Sequence, residues 1–339
     1  MDRLLKRSGK AALILTALVV ILGAYTRLTD AGLGCPDWPG CYGFLSVPTK
    51  ATDIQIAENA FPERPVEAFK AWNEMIHRYF AGTLGLLILF IFVVSAIAKR
   101  PLLLPFVLLA TVTFQAFLGM LTVTMSLMPL VVLGHLMGGF TTFCLLLLYV
   151  KQQHKAEQQP LMPEQGKLFR AMPNLLKVGA LVVILQIALG GWTATNYSAV
   201  ACTSLPICEP GWQEKFSIGK AFTVAKGHAN YEFGVLPHDV RVSIHITHRL
   251  GAVIVALVII LLSWSLIRMT EARKKQQGYT LLGILVVQFI LGVSNVVFKL
   301  PLLVAVAHNF VALCLLAYLI HLIWEWHHIQ RDSTIPITE

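Results

Sequence analysis

Long apolar runs, broken by short clusters of charge, set the organisation of this chain. Eight of them read as membrane helices, near residues 11–28, 75–98, 102–125, 129–150, 175–195, 243–267, 279–298 and 302–325. A helix rises ~1.5 Å per residue, so roughly 20 apolar residues cross a hydrocarbon layer ~30 Å thick. The first run follows the basic start Met1-Asp2-Arg3-Leu4-Leu5-Lys6-Arg7 and has the outline of a secretory signal. Its length, and the lack of a convincing cleavage site in Gly23-Ala24-Tyr25-Thr26-Arg27, favour a retained helix.

Composition agrees with this pattern. Only 13% of the 339 residues are charged and 56% are hydrophobic, with a mean hydropathy of +0.68. A soluble domain carries roughly twice that charge fraction. The formal net charge of +9 therefore speaks of topology rather than nucleic acid. Basic residues cluster before the first segment (Arg3, Lys6, Arg7, Lys10), between the second and third (Lys99, Arg100), between the fourth and fifth (Lys151, Lys155, Lys167, Arg170, Lys177), and between the sixth and seventh (Arg268, Arg273, Lys274, Lys275). All these fall on one side, which places both termini in the cytoplasm and the long loops 29–74 and 196–242 outside. The location expected is a bacterial inner membrane, crossed many times, with lipid as the surrounding partner. Glycine-rich phosphate loops, dinucleotide fingerprints and zinc-type Cys-x-x-Cys pairs are absent.

Each outer loop carries two cysteines with five residues between them, Cys35 with Cys41 and Cys202 with Cys208. An oxidising compartment favours a disulfide in each pair. Cys144 and Cys314 lie within apolar segments and read as small hydrophobes.

The chain repeats itself. Gly23-x-x-Thr26 matches Gly190-x-x-Thr193 at an offset of 167 residues, and Gln115-Ala116-Phe117-Leu118-Gly119 matches Gln288-Phe289-Ile290-Leu291-Gly292 at 173. His77 matches His248 at 171, and His135 matches His308 at 173. An all-α membrane protein of eight helices, arranged as two pseudosymmetric four-helix bundles, is the expected fold. The halves are residues 1–150 and 175–339, joined by a cytoplasmic linker, 151–174.

Within each half the two repeated histidines flank two membrane passes and so share a depth near the outer face. Imidazoles on two facing helices suit a bis-histidine haem cage, and Gly134, Gly138 and Gly139 around His135 suggest room for a flat macrocycle. Zinc, or a hydrogen bond between helices, is the rival reading of each pair. Gln115 and Gln288 read as polar links between helices. Arg78 and Arg249 follow the ligand positions and suit haem propionates, with interfacial snorkelling as the alternative. The halves differ at one point: Glu74 lies one helical turn before His77, whereas His245 holds that place before His248. A carboxylate there can accept protons, so the N-terminal half is the expected seat of chemistry. His245 is assigned to the edge of the C-terminal haem.

The phrases Arg27-Leu28-Thr29-Asp30-Ala31-Gly32-Leu33-Gly34-Cys35-Pro36-Asp37-Trp38-Pro39-Gly40-Cys41, Glu74-Met75-Ile76-His77-Arg78 and His245-Ile246-Thr247-His248-Arg249, completed by His135 and His308, resemble the haem A synthase family. The match spans both halves. It implies an oxidoreductase acting on a CH group, which converts a methyl group of haem O to a formyl group by two successive hydroxylations. It further implies that His248 and His308 ligate a resident haem b, that His77 and His135 ligate the substrate haem O, and that haem O synthase and cytochrome oxidase assembly factors are partners. A homo-oligomer is compatible with it. Two other functions share the same helices and histidines: a dihaem quinol-oxidising cytochrome and a haem carrier without chemistry. Neither requires the difference between Glu74 and His245.

Overall fold

A computed structural model describes residues 1–153 and 167–332. Its regular structure is helical: α1 (Asp2–Leu28), α2 (Ala51–Ala60), α3 (Ala68–Ile97), α4 (Leu103–Thr124), α5 (Pro129–Gln153), α6 (Lys167–Thr195), α7 (Trp212–Lys215), α8 (His238–Ile267), α9 (Ala272–Val297) and α10 (Leu302–Asp332), with a 3-10 turn at Lys220–Phe222. Eight of these are long and apolar enough to cross a membrane, so the chain is a multi-pass membrane protein. Most of the expected linker, 154–166, lies outside the described residues, as does His154; its two ends belong to α5 and α6.

Several helices begin earlier than the apolar pattern predicts. α3 starts at Ala68 rather than near 75, and α8 at His238 rather than 243. Their first turns carry polar residues, which an apolar window omits but a helix emerging from the membrane tolerates. Glu74 consequently sits nearly two turns inside α3 instead of at its mouth. At α8, Pro237 precedes the first residue, a position where a missing N–H breaks no helical bond.

Helix contacts form two closed rings. α1 packs on α3, α3 on α4, α4 on α5, and α5 returns to α1. α6, α8, α9 and α10 form a ring of the same order. The rings meet through α1 against α10, α5 against α6, and α5 against α10. Exchanging the two halves turns this contact pattern into itself, which is consistent with the internal repeat. Apolar layers fill the inner part of each ring, around Leu84, Ile88, Ile91, Leu108 and Leu146 in one and Leu176, Ile259, Leu262, Leu281 and Leu319 in the other.

A buried ionic group closes the end of the second ring opposite its disulfide loop. Lys274 on α9 is 1% exposed and donates to Glu325 on α10 at 3.0 Å, while Gln277 donates to both oxygens of that carboxylate. Arg273 and His321 lie 3.4 and 3.6 Å from Glu325, and the Lys274 ammonium rests over the Trp326 ring. Removing one member of a buried pair strands the other, typically at ~3–5 kcal/mol. Lys274→Met is therefore expected to lower the thermal midpoint in detergent, at the low end of that range because Arg273 remains. An unchanged midpoint would show that the pair contributes nothing to stability.

Candidate functional site

His77 on α3 faces His135 on α5, with ring centres 6.4 Å apart and planes at 81°. An atom held between two imidazole nitrogens at ~2 Å each separates the ring centres by roughly 6 Å. The pair is thus already spaced for one shared metal, and among the described residues no third histidine, cysteine or carboxylate joins it.

Glycines on neighbouring helices seat all four rings. A methyl on Gly23 (α1) would lie 3.0 Å from His77 Cε1, and one on Gly119 (α4) 3.4 Å from His135 Cε1. In the second ring the same holds for Gly190 (α6) with His248 at 3.0 Å, and for Gly292 (α9) with His308 at 3.1 Å. The repeated glycines of the sequence therefore each have a histidine to accommodate, a role that spacing alone did not reveal. Gly190→Val is expected to push the His248 ring aside and disrupt the site without unfolding the bundle. Purified protein with unaltered haem content and absorbance would refute that.

Both rings are loosely filled at this depth. Residues 131–139 of α5 make two and a half turns, yet each is neither fully buried nor fully exposed. Since α5 is flanked by α1, α4, α6 and α10, lipid exposure does not account for this; space inside the bundle does. The same pattern recurs at 307–312 of α10, which is likewise flanked by α1, α5, α6 and α9. A flat macrocycle between the facing histidines is compatible with that space. Gly138 does not contribute to it as expected, because the Gln115 carboxamide occupies its open side. The equivalent of Gly138 in the other half is Val311, and there Gln288 turns instead to His308, with its nitrogen 3.4 Å from Nε2.

The two arginines serve the loops that carry the cysteine pairs. Arg78 Nη1 donates to the carbonyls of Asp37, Pro39 and Gly40, and Nη2 to Glu74 Oε1 at 2.5 Å. Arg249 donates to the carbonyls of Cys202, Ser204, Pro206 and Ile207. Each guanidinium thus clamps the loop of one cysteine pair onto the helix that carries the histidine, and these contacts, rather than snorkelling, occupy its fork. Glu74 is buried and its Oε2 accepts the Cys35 N–H at 2.8 Å. The carboxylate expected to lean over the histidine therefore also ties α3 to the loop above it. His245 is equally buried, with the Ser198 backbone carbonyl as the acceptor beside its ring.

Both disulfides form as expected, Cys35–Cys41 and Cys202–Cys208, and Cys144 and Cys314 are free. Each loop is braced by its own carboxylate, which sequence reasoning overlooked. Asp37 accepts from the N–H groups of Tyr42 and Gly43, and Glu209 accepts from the Thr203 N–H and hydroxyl and the Ser204 N–H. Partial burial pushes the Glu209 pKa up, but these donors outweigh it and bring it down from 4.5 to about 2. Its contribution to loop stability is thus complete above the unfolded value and is lost progressively as pH falls from 4.5 through about 2. Reduction of Cys202–Cys208 by a phosphine is expected to show no acid-triggered opening of the loop above pH ~5 and progressive opening as pH falls towards ~2. Glu209→Gln should speed that reduction above pH ~5 and lose its effect as the parent's carboxylate is protonated.

A family model described as cytochrome oxidase assembly protein (COX15-CtaA) matches residues 9–320. A heme A synthase of Shewanella oneidensis is 45% identical over 96% of this chain and 98% of its own length. Heme A synthases of Rickettsia bellii and Flavobacterium psychrophilum are each 25% identical, over 91% and 89% of this chain and 94% and 92% of theirs.

Proposed function

The chain belongs to the cytochrome oxidase assembly protein family (COX15-CtaA), and from that premise we propose that it is an enzyme of haem A biosynthesis. The reaction is oxidation of one methyl group of haem O to a formyl group, which adds one oxygen atom and removes four electrons. The spacing of His77 and His135 carries this reading, because it fits two imidazoles that would hold a single iron between them.

His77 and His135 hold the substrate haem O, and His248 and His308 hold a resident haem b. When bound, haem b supplies a one-electron redox centre. The chain positions and shields. Glycine seats fix the four imidazoles in height and direction. Arg78 and Arg249 hold the disulfide loops at the outer ends of the two rings, limiting water and fixing where the porphyrin edge can lie. Glu74 is the proton acceptor of the N-terminal site: its carboxylate faces the Arg78 guanidinium and the N–H groups of Cys35 and Gly34, and its two oxygens have lone pairs beyond these three donors for a proton. His245 borders the haem b site from the equivalent position. Residues 1–150 thus form the substrate half and 175–339 the resident-haem half, with termini in the cytoplasm of a bacterial inner membrane. A haem O synthase that delivers substrate and oxidase assembly factors that collect product are the partners this chemistry needs.

The test is expression in cells that make haem O but lack haem A. Extracted haems should include haem A or its hydroxymethyl precursor. Recovery of haem b and haem O alone would overturn the reading.

A further inference from the structure

The two rings of helices differ along one seam. Contact between α3 and α4 is the least extensive in either ring, whereas the equivalent pair, α8 and α9, packs closely. At the end of the second ring far from its disulfide loop, Gly278 on α9 lies so near α8 that a Cβ would sit 2.7 Å from the Ser263 carbonyl oxygen. The first ring has Pro105 in the place of Gly278 and Phe92 in that of Ser263. The buried proline ring and the phenylalanine hold α4 off α3, and Phe92 rests against Phe106 of α4 with ring centres 6.5 Å apart. Residue 85, nearer the histidines, shares the Phe92 face of α3, because seven residues make almost two full turns. It is glycine, and nothing lies within 4 Å of where its Cβ would be. Its counterpart in the second ring, Ala256, packs against the core there. The seam is thus propped open in the first ring and shut in the second.

We propose that the open α3–α4 seam holds the isoprenoid chain of haem O and leads it out to lipid. This rests on the assignment of His77 and His135 to the substrate. Haem O carries a long hydroxyethylfarnesyl chain where haem b has a vinyl group, so a site for haem O needs an apolar exit that a site for haem b does not. α3 and α5 stand opposite each other in the first ring, so a flat group between their histidines has its edges toward α1 and α4. α1 is backed by α10 of the second ring, whereas no helix beyond α3 and α5 packs on α4. A chain leaving on the α4 side meets one close seam, with α5, and one open seam, with α3. Gly85 lies about 12 Å along α3 from His77, within the span of a farnesyl chain. Across the seam Phe117, on the Phe106 face of α4, is half exposed and offers an aromatic wall. Phe92 and Phe106 close the seam beyond Gly85 and turn the chain outward.

The test titrates the purified full chain, its second ring already filled with haem b, with ferric haem O and separately with ferric haem b. Binding that His77→Ala abolishes is what counts, read from the absorbance difference. Gly85→Phe fills the seam and should weaken haem O ~10-fold or more while leaving added haem b within ~2-fold of the parent. Leu86→Phe, on the same helix but 70% exposed, should change neither. If Gly85→Phe does not keep haem b in its second ring, Gly85→Val, a smaller plug, replaces it. Parental haem O affinity in the plugged variant would overturn the proposal. So would equal loss of both haems, or the same loss in Leu86→Phe, since general damage to the site would then explain the result. The functional reading fails separately: a parent that takes neither haem through His77 refutes that reading and the seam with it, whereas a parent that takes both, with no effect of Gly85→Phe, refutes the seam alone.

Discussion

His248→Ala or His308→Ala yields a folded protein that has lost its tightly held haem b, whereas His77→Ala and His135→Ala retain most of it. Under the proposed assignment each of the first two substitutions removes one of the two imidazoles that would hold the resident iron, and leaves a cavity where the ring was. Neither contributes to the apolar layers that hold the second ring of helices together, which lie around Leu176, Ile259, Leu281 and Leu319. The bundle therefore survives. Absorbance spectra of the four purified variants, scaled to protein, decide it. Equal loss from all four would refute the division between the halves.

Glu74→Gln makes little or no haem A while keeping haem b and the outer loop. Glutamine preserves the size of the side chain and can still accept the Cys35 N–H. It carries no charge opposite Arg78 and has far less affinity for a proton. A fall of roughly two orders of magnitude in haem A per bound haem b fits loss of a general base. The ion pair with Arg78 offers a second cause, loosening of the loop, and Arg78→Met separates the two. In Glu74→Gln the Cys35–Cys41 disulfide should resist reduction as in the parent, because both half-cystines are buried and the other Arg78 contacts persist. In Arg78→Met the disulfide should become accessible. Near-parental haem A in Glu74→Gln would leave the carboxylate as a loop tether only.

Long periodic features were legible in the chain. Eight apolar runs announce eight membrane helices because, in hydrocarbon, every backbone group must be satisfied within its own helix. The boundaries were less legible: α3 and α8 begin in polar turns that hydrophobicity does not mark. The cysteine pairs read correctly from spacing, since five intervening residues make a loop that closes readily. Reach was harder to read. Arg78 and Arg249 follow ligand positions in sequence, yet their long side chains fold back to carbonyls some 40 residues away.

The sequence by itself determined the membrane class, the repeat and the identity of the four histidines, because hydrophobic length and residue spacing act along the chain. Only the tertiary structure decided that His77 and His135 stand at the separation of a shared metal, that glycines from neighbouring helices seat the rings, and that Glu74 and Arg78 hold a loop. Those relations join residues dozens of positions apart. They depend on where side chains end rather than where they begin, and that is fixed by helix packing, which no single stretch of sequence contains.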